Sequence, residues 1–283
     1  MGVLKPEATE GTFKGVGGIA IFTRSWRPSG KPRGVVIISH GFNSHSGQYF
    51  WVAEQFLNAG LTVYALDHRG RGKSGGERFY VEKFADYVND LATFIQFAKS
   101  QEPGLPIFLL GHSAGGVVSC QYAAQHQAEL AGLICESFAF QVPAPDVVLA
   151  VLKGLSHLAP HAHVLKLKNE DFSRDPKVVE TMNNDPLIAG ESQPAETVAE
   201  MVRADEQLKN EFRLITLPLL ILHGTQDKAT KPSGSQLFYD TAGSSDKTLK
   251  LYDGAFHDLL NDIDKEKVMA DVLSWINSHL AKR

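Results

Sequence analysis

Cysteine is nearly absent: the 283 residues hold two, Cys120 and Cys135. Neither has neighbours at metal-ligand spacing, which excludes a disulfide scaffold and a zinc module and leaves both as reduced core residues. No apolar run approaches the length that spans a bilayer, and the stretch from Met1 to Gly11 lacks the apolar region of a signal peptide. The expected address is cytoplasmic. Gly2 follows Met1, but Pro6 stands where an acylation signal needs Ser or Thr, so no myristoyl anchor is expected. No basic run is long enough to track a phosphate backbone, and 28 Lys+Arg against 32 Asp+Glu give a formal charge of −4, which argues against nucleic acid as a partner.

Two glycine signatures are missing as well. The first strand-to-helix turn, His40-Gly41-Phe42-Asn43, is not a dinucleotide fingerprint. The glycine-dense stretch Asp67 to Gly76 contains Gly72-Lys73-Ser74, yet Asp67 occupies the place of the first glycine of a phosphate loop, and no helix follows at once. No cofactor and no metal are expected.

What is present is an ordinary globular composition, 43% hydrophobic and 21% charged, in a chain long enough for one large or two small domains. A hairpin is expected across Gly17-Gly18, from Thr12–Gly15 to Ile19–Arg24. Val35 to Ser39, Leu61 to Leu66, Ile107 to Leu110, Leu130 to Cys135, Leu217 to His223 and Leu249 to Tyr252 read as further strands. Most are apolar runs of the kind buried on both faces of a parallel sheet. Helical spacing runs between them: Tyr49 to Asn58; Phe84, Val88, Leu91, Ile95 and Ala98; Val117 to Gln127; Val268 to Leu280. Alternating strands and helices predict an α/β fold, a mostly parallel sheet with helices on both faces. The alternation fails from about Ala139 to Phe212, where no strand is expected and six prolines punctuate short helical pieces. Residues 139–212 are therefore read as an inserted helical cap on a core of 1–138 and 213–283.

The chemistry centres on Gly111-His112-Ser113-Ala114-Gly115-Gly116. A strand running into Gly-x-Ser-x-Gly and then a helix forces the serine into a strained turn with its hydroxyl projecting, and the glycines supply room. Serine needs a base, and the base an orienting acid. Asp227 after one late strand and His257 after the last fit those roles in the order Ser, Asp, His; Asp253 is a competitor better suited to capping its turn. His112 is assigned a structural role pointing away from the hydroxyl. Oxyanion donors are expected from the backbone N–H of Ala114 and of Phe42.

With His40-Gly41 and His45-Ser46-Gly47, Asp67 to Ser74 with Gly76-Glu77-Arg78, Asn184-Asp185-Pro186-Leu187 and Tyr252 to His257 added, the sequence resembles the monoacylglycerol lipase and lysophospholipase branch of the α/β-hydrolase family over nearly its whole length. The resemblance implies a Ser113, Asp227, His257 triad, oxyanion N–H groups at Phe42 and Ala114, and a scaffold role for Asp67 to Arg78. It also exposes a departure. Where animal members grip glycerol with Glu, Tyr and His, this chain has Ser44, Met182 and Leu260, which points to a broader carboxylesterase with a less polar alcohol site. The reaction class is thus a serine ester hydrolase acting on lipid-like, alkyl or aryl esters, and polyesters are within its reach. A lysophospholipase or an acyltransferase would use the same triad, and a ligand-binding homologue without turnover is the reading from another class. A carboxylate nucleophile is excluded by Ser113.

The cap adds one more expectation. Val147 to Leu152, with Leu155 and Leu158, is apolar around more of a helix than one core stripe needs. It offers an acyl tunnel or transient contact with lipid, micelle or polymer, the alternative being plain packing on the sheet. His157, His161 and His163 read as a solvated face.

Overall fold

A computed structural model describes residues 7–281. Gly2 and Pro6 lie outside that range. Ten strands and eight α-helices lie among the described residues: β1 (Thr9–Lys14), β2 (Ala20–Trp26), β3 (Gly34–Ser39), α1 (Phe50–Asn58), β4 (Leu61–Leu66), α2 (Phe84–Gln101), β5 (Ile107–His112), α3 (Ala114–His126) and β6 (Gly132–Glu136) come first. They are followed by α4 (Asp146–Ser156), β7 (His163–Leu165), α5 (Pro176–Asn183), β8 (Gln193–Pro194), α6 (Ala195–Glu211), β9 (Leu219–Gly224), α7 (Pro232–Thr241), β10 (Lys247–Tyr252) and α8 (Lys265–Leu280).

Eight strands form one sheet in the order β1-β2-β4-β3-β5-β6-β9-β10. Only the β1–β2 and β2–β4 pairings are antiparallel; the rest are parallel. β3, β4, β5, β6 and β9 are buried at every position, as continuous apolar runs demand when helices cover both faces. One layer of core packs α2, α3 and the end of α6 on one face; the other packs α1 and α8 on the opposite face. Because the parallel strands run the same way, the loops after β3, β5, β6, β9 and β10 leave one common edge, and that edge collects the residues considered next.

The segment 139–212 departs from expectation in one respect. It contains strand, an antiparallel ribbon of β7 and β8 pairing His163 with Pro194 and Leu165 with Gln193. Strands of two and three residues carry no legible periodicity, and Pro194 hides one of them. The helix α4 keeps its apolar excess outside: Val147 and Val151 are 70% and 64% exposed, while Leu149 and Leu152 turn inward to a cavity. Among the described residues no helix is long and apolar enough to cross a membrane.

Phe212 closes the segment onto the sheet. Its ring lies 4.5 Å from Phe238, 4.8 Å from Phe140 and 6.0 Å from Phe138, all buried. Phe212→Ala should cost about 3–5 kcal/mol through the cavity it leaves. Urea unfolding checks this, with a lower midpoint and an unchanged slope expected.

Candidate active site

The turn after β5 carries the strain expected of its sequence. Ser113 has φ 53°, ψ −121°, a conformation few non-glycine residues adopt. The turn is possible because the surroundings are glycine. A Cβ on Gly111 would sit 2.6 Å from the Gly115 carbonyl and the Ser119 hydroxyl, and one on Gly115 would collide with the backbone of Ser39 and His40. Ser113 N–H donates to the Glu136 carbonyl at 2.9 Å, and Ser113 C=O accepts from Gly116 at 2.9 Å and Ala139 at 3.2 Å. Ala114 opens α3, so its N–H is one of the helix's first four, which lack partners inside the helix.

The exit from β3 lies directly against the serine. A Cβ on Gly41 would be 2.7 Å from Ser113 Cβ and 3.3 Å from its Oγ. His40 sets the direction of the peptide that follows: its Nε2 accepts from His68 N–H at 3.0 Å, so Nδ1 carries the proton and donates to Gly41 C=O at 2.7 Å. Burial pushes His40 down to about 4, keeping it neutral for this task. With the Gly41 carbonyl engaged there, the planar trans peptide aims Phe42 N–H the opposite way. Phe42 in turn lies under the Arg71 guanidinium at 4.1 Å.

His257 and Asp227 meet at the same edge. His257 Nδ1 is 2.7 Å from Asp227 Oδ2, both side chains fully buried. Asp227 Oδ1 accepts from Ala229 N–H at 2.8 Å and Thr230 N–H at 2.9 Å, and Oδ2 accepts from Thr230 Oγ1 at 2.7 Å. Burial alone would raise this carboxyl, but its charge and hydrogen-bond partners His257 and His223 hold it far below the usual carboxylate range. Asp253 is exposed and takes the Thr225 hydroxyl at 3.1 Å. The His257 ring is pinned between Phe172 and His112, each centroid 4.9 Å away. His112 thus packs on the His257 ring, and burial keeps it neutral. Among the described residues, His257 Nε2 is buried without a hydrogen-bond partner. No hydrogen bond joins it to Ser113 Oγ, a contact that hydrolytic sites commonly tighten only with substrate present.

Thr230, His223, Glu136 and Glu191 escaped the sequence reading. Glu191 Oε1 accepts Asn43 N–H at 2.9 Å and pairs with the buried Arg71, so residues from 139–212 hold the turn that carries Phe42. Glu136 Oε1 accepts Leu260 N–H at 3.0 Å and so steadies the loop bearing His257. Only the spacing of Glu191 to Gln193, two polar residues later found fully buried, could have drawn attention to the first.

The serine opens on a cavity of about 910 Å³ whose walls include Phe42, Ala114, Phe140, Leu149, Leu152, Val198 and Met201. Ser44, Met182 and Leu260 do not line it, contrary to expectation. Met182 packs with Phe172 and Ile188, Leu260 lies in the core beside α8, and Ser44 is buried among its neighbours. A register inferred from resemblance fixes a place in the chain, not the direction of a side chain. The glycine-dense loop is scaffold: Asp67 takes Ser46 N–H at 2.7 Å and Lys73 N–H at 2.8 Å. His161 pairs with Glu77 and stacks on Tyr80, and His163 meets the Ser192 carbonyl.

The family described as serine aminopeptidase, S33, matches residues 30–264. The chain belongs to this hydrolase family. It is 38% identical to the monoacylglycerol lipase of Mycolicibacterium smegmatis, covering 96% of this chain and 98% of that one. The crystal structure of Paleococcus ferrophilus monoacylglycerol lipase superposes with a TM-score of 0.81 at 28% identity, covering 96% of this chain and 99% of that one. A thermostable carboxyl esterase from Bacillus coagulans in complex with glycerol gives a TM-score of 0.85 at 26% identity, covering 96% and 99%. The fold is that of an α/β hydrolase, and the chain is a serine ester hydrolase.

Two expectations arise from this geometry. Glu191→Gln keeps an acceptor for Asn43 N–H but not the charge, and Glu191→Ala removes both. Steady-state kinetics should show kcat falling from parent to Gln to Ala, by about tenfold to a hundredfold for Ala, with little change in KM. A lower unfolding midpoint with kcat unmoved would contradict the role. The second concerns Asp258, which burial pushes up to about 6 beside the buried Glu136. Between the unfolded carboxylate value, about 4, and 6 the folded state holds the extra proton, so stability falls as pH rises through that window. From pH 4 to pH 7 the parent should lose on the order of 2 kcal/mol more than Asp258→Asn in urea titrations; parallel pH profiles would refute the assignment.

Proposed function

We propose that Ser113 is the nucleophile, His257 its base, Asp227 the acid that orients the base, and Phe42 and Ala114 N–H the oxyanion donors, with 139–212 as the cap over the acyl site. The carrying observation is the 2.7 Å bond from His257 Nδ1 to Asp227 beside a strained serine packed on Gly41. Ser113 Oγ attacks the ester carbonyl as its proton passes to His257 Nε2, and the charge on the carbonyl oxygen falls on the two backbone donors. Collapse expels the alcohol, which takes the proton from His257. Water, activated by the same histidine, then cleaves the acyl-enzyme; an alcohol in its place would give transfer.

The substrate is a lipid-like, alkyl or aryl ester, and specificity on the alcohol side is broad. The monoacylglycerol lipases among the relatives point to monoacylglycerol, but Phe42, Ala114, Phe140, Leu149, Leu152, Val198 and Met201 give the cavity a largely apolar wall, and Ser44, Met182 and Leu260 lie elsewhere. The outward valines of α4 suit transient contact with a lipid or polymer surface. Two unbridged cysteines, Sγ atoms 3.5 Å apart, accord with a reducing, cytoplasmic setting.

Ser113→Ala should lower kcat for p-nitrophenyl esters by about 10⁴ to 10⁶. Asp227→Asn should be severe and Asp253→Asn mild; the reverse ranking would move the acid. The kcat/KM for a monoacylglycerol should be no better than for the ethyl ester of the same acid. A preference above about a hundredfold would mean that dedicated polar partners exist after all.

A further inference from the structure

The chain carries a net charge of −4, yet the cavity above Ser113 is lined by six lysines against three acids. Two of those lysines are occupied: Lys153 pairs with Glu206 at 2.5 Å, and Lys228 stands 3.9 Å from Asp171 and over the Phe256 ring at 4.4 Å. The third acid, Asp205, is pushed well above the usual carboxylate range by burial. Lys166, Lys168, Lys209 and Lys231 are exposed and have no acid within 4.0 Å among the described residues.

These four come from three parts of the chain: the segment after β7, the last turn of α6, and the loop leading into α7. Such convergence is not the polar face of one helix. Lys209 has a structural reason to be where it is, since a cation suits a helix C-terminus. Lys231 has the opposite, because it occupies the N-cap of α7, where a cation works against the helix dipole. A position that costs stability and borders the cavity is explained by what enters the cavity. Apolar walls of low polarisability focus such a field toward the opening.

Resting on ester hydrolysis at Ser113, we infer that the cavity takes an acyl ester carrying an anionic group, a carboxylate or a phosphate, which Lys166, Lys168, Lys209 and Lys231 draw in and hold near the mouth. The apolar lining, Leu149, Leu152, Val198 and Met201 among it, receives the chain between that charge and the scissile carbonyl. The same field repels a peptide with a free ammonium end, in keeping with an ester and not an aminopeptidase substrate.

The test uses matched soluble pairs below their micellar concentrations: the mono-p-nitrophenyl ester of a dicarboxylic acid against the p-nitrophenyl ester of the monocarboxylic acid of equal length, and a short-chain acylglycerol phosphate against its acylglycerol. The anionic member should have the higher kcat/KM by about tenfold or more at low salt, the advantage shrinking toward unity near 0.5 M salt as the charges are screened. Whichever pair shows the larger ratio names the anion. Replacing the four lysines with Gln should bring the ratio to unity or below while the neutral ester is turned over within about twofold of the parent, and replacing them with Arg should retain it. A parent ratio at or below one, a ratio indifferent to salt and to the Gln variant, or an advantage seen only with anionic vesicles would overturn the inference. Failure of the parent to hydrolyse any of these esters, anionic or neutral, would instead overturn the hydrolase reading, and this inference with it.

Discussion

The strained backbone at Ser113 is the constraint on which the rest of the site depends. Its positive φ puts the hydroxyl above the sheet edge, and it survives because Gly111 and Gly115 let α3 and β3 crowd in where any side chain would clash. Hydrogen bonds from neighbouring strand ends then lock it: the Glu136 carbonyl takes Ser113 N–H, and Ala139 N–H reaches the Ser113 carbonyl. Strain of this kind costs of order 1–3 kcal/mol and persists only when the surroundings over-determine it. Here those surroundings are the central strands of the sheet, buried at every position.

From that fixed point the other groups are placed by two buried devices. On one side, neutral His40 holds the Gly41 carbonyl and thereby directs Phe42 N–H, while Glu191 and Arg71 clamp the next residue and the Phe42 ring. On the other, Asp227 gathers two backbone N–H groups, Thr230 and His257, and the His257 ring is held between two aromatic faces. The first device draws on 139–212, so a segment that supplies part of the cavity wall also supports the turn that carries Phe42.

Much of this was legible in the sequence, for identifiable reasons. The apolar runs at Val35, Leu61, Ile107 and Leu219 became interior parallel strands because nothing else buries four or more consecutive apolar residues so cheaply. The four- and three-residue steps from Phe84 to Ala98 became α2. Gly-x-Ser-x-Gly marked the turn because its glycines are a steric requirement. What stayed hidden depended on distance or direction. Glu191 meets Asn43 across 148 residues, and no local pattern announces such a contact. The β7–β8 ribbon is too short for any period, and the contact that His112, expected to be structural, makes with the His257 ring spans 145 residues. Ser44, Met182 and Leu260 show the same limit, each a surmise about orientation that only packing could decide.

The most direct measurement is to treat the protein with a fluorophosphonate, digest it and locate the added mass. A single adduct on Ser113, forming in step with loss of esterase activity, is the expected result. An adduct on another residue that tracks inactivation, or hydrolysis that continues with Ser113 fully modified, would contradict the assignment of the nucleophile and with it the site built around it.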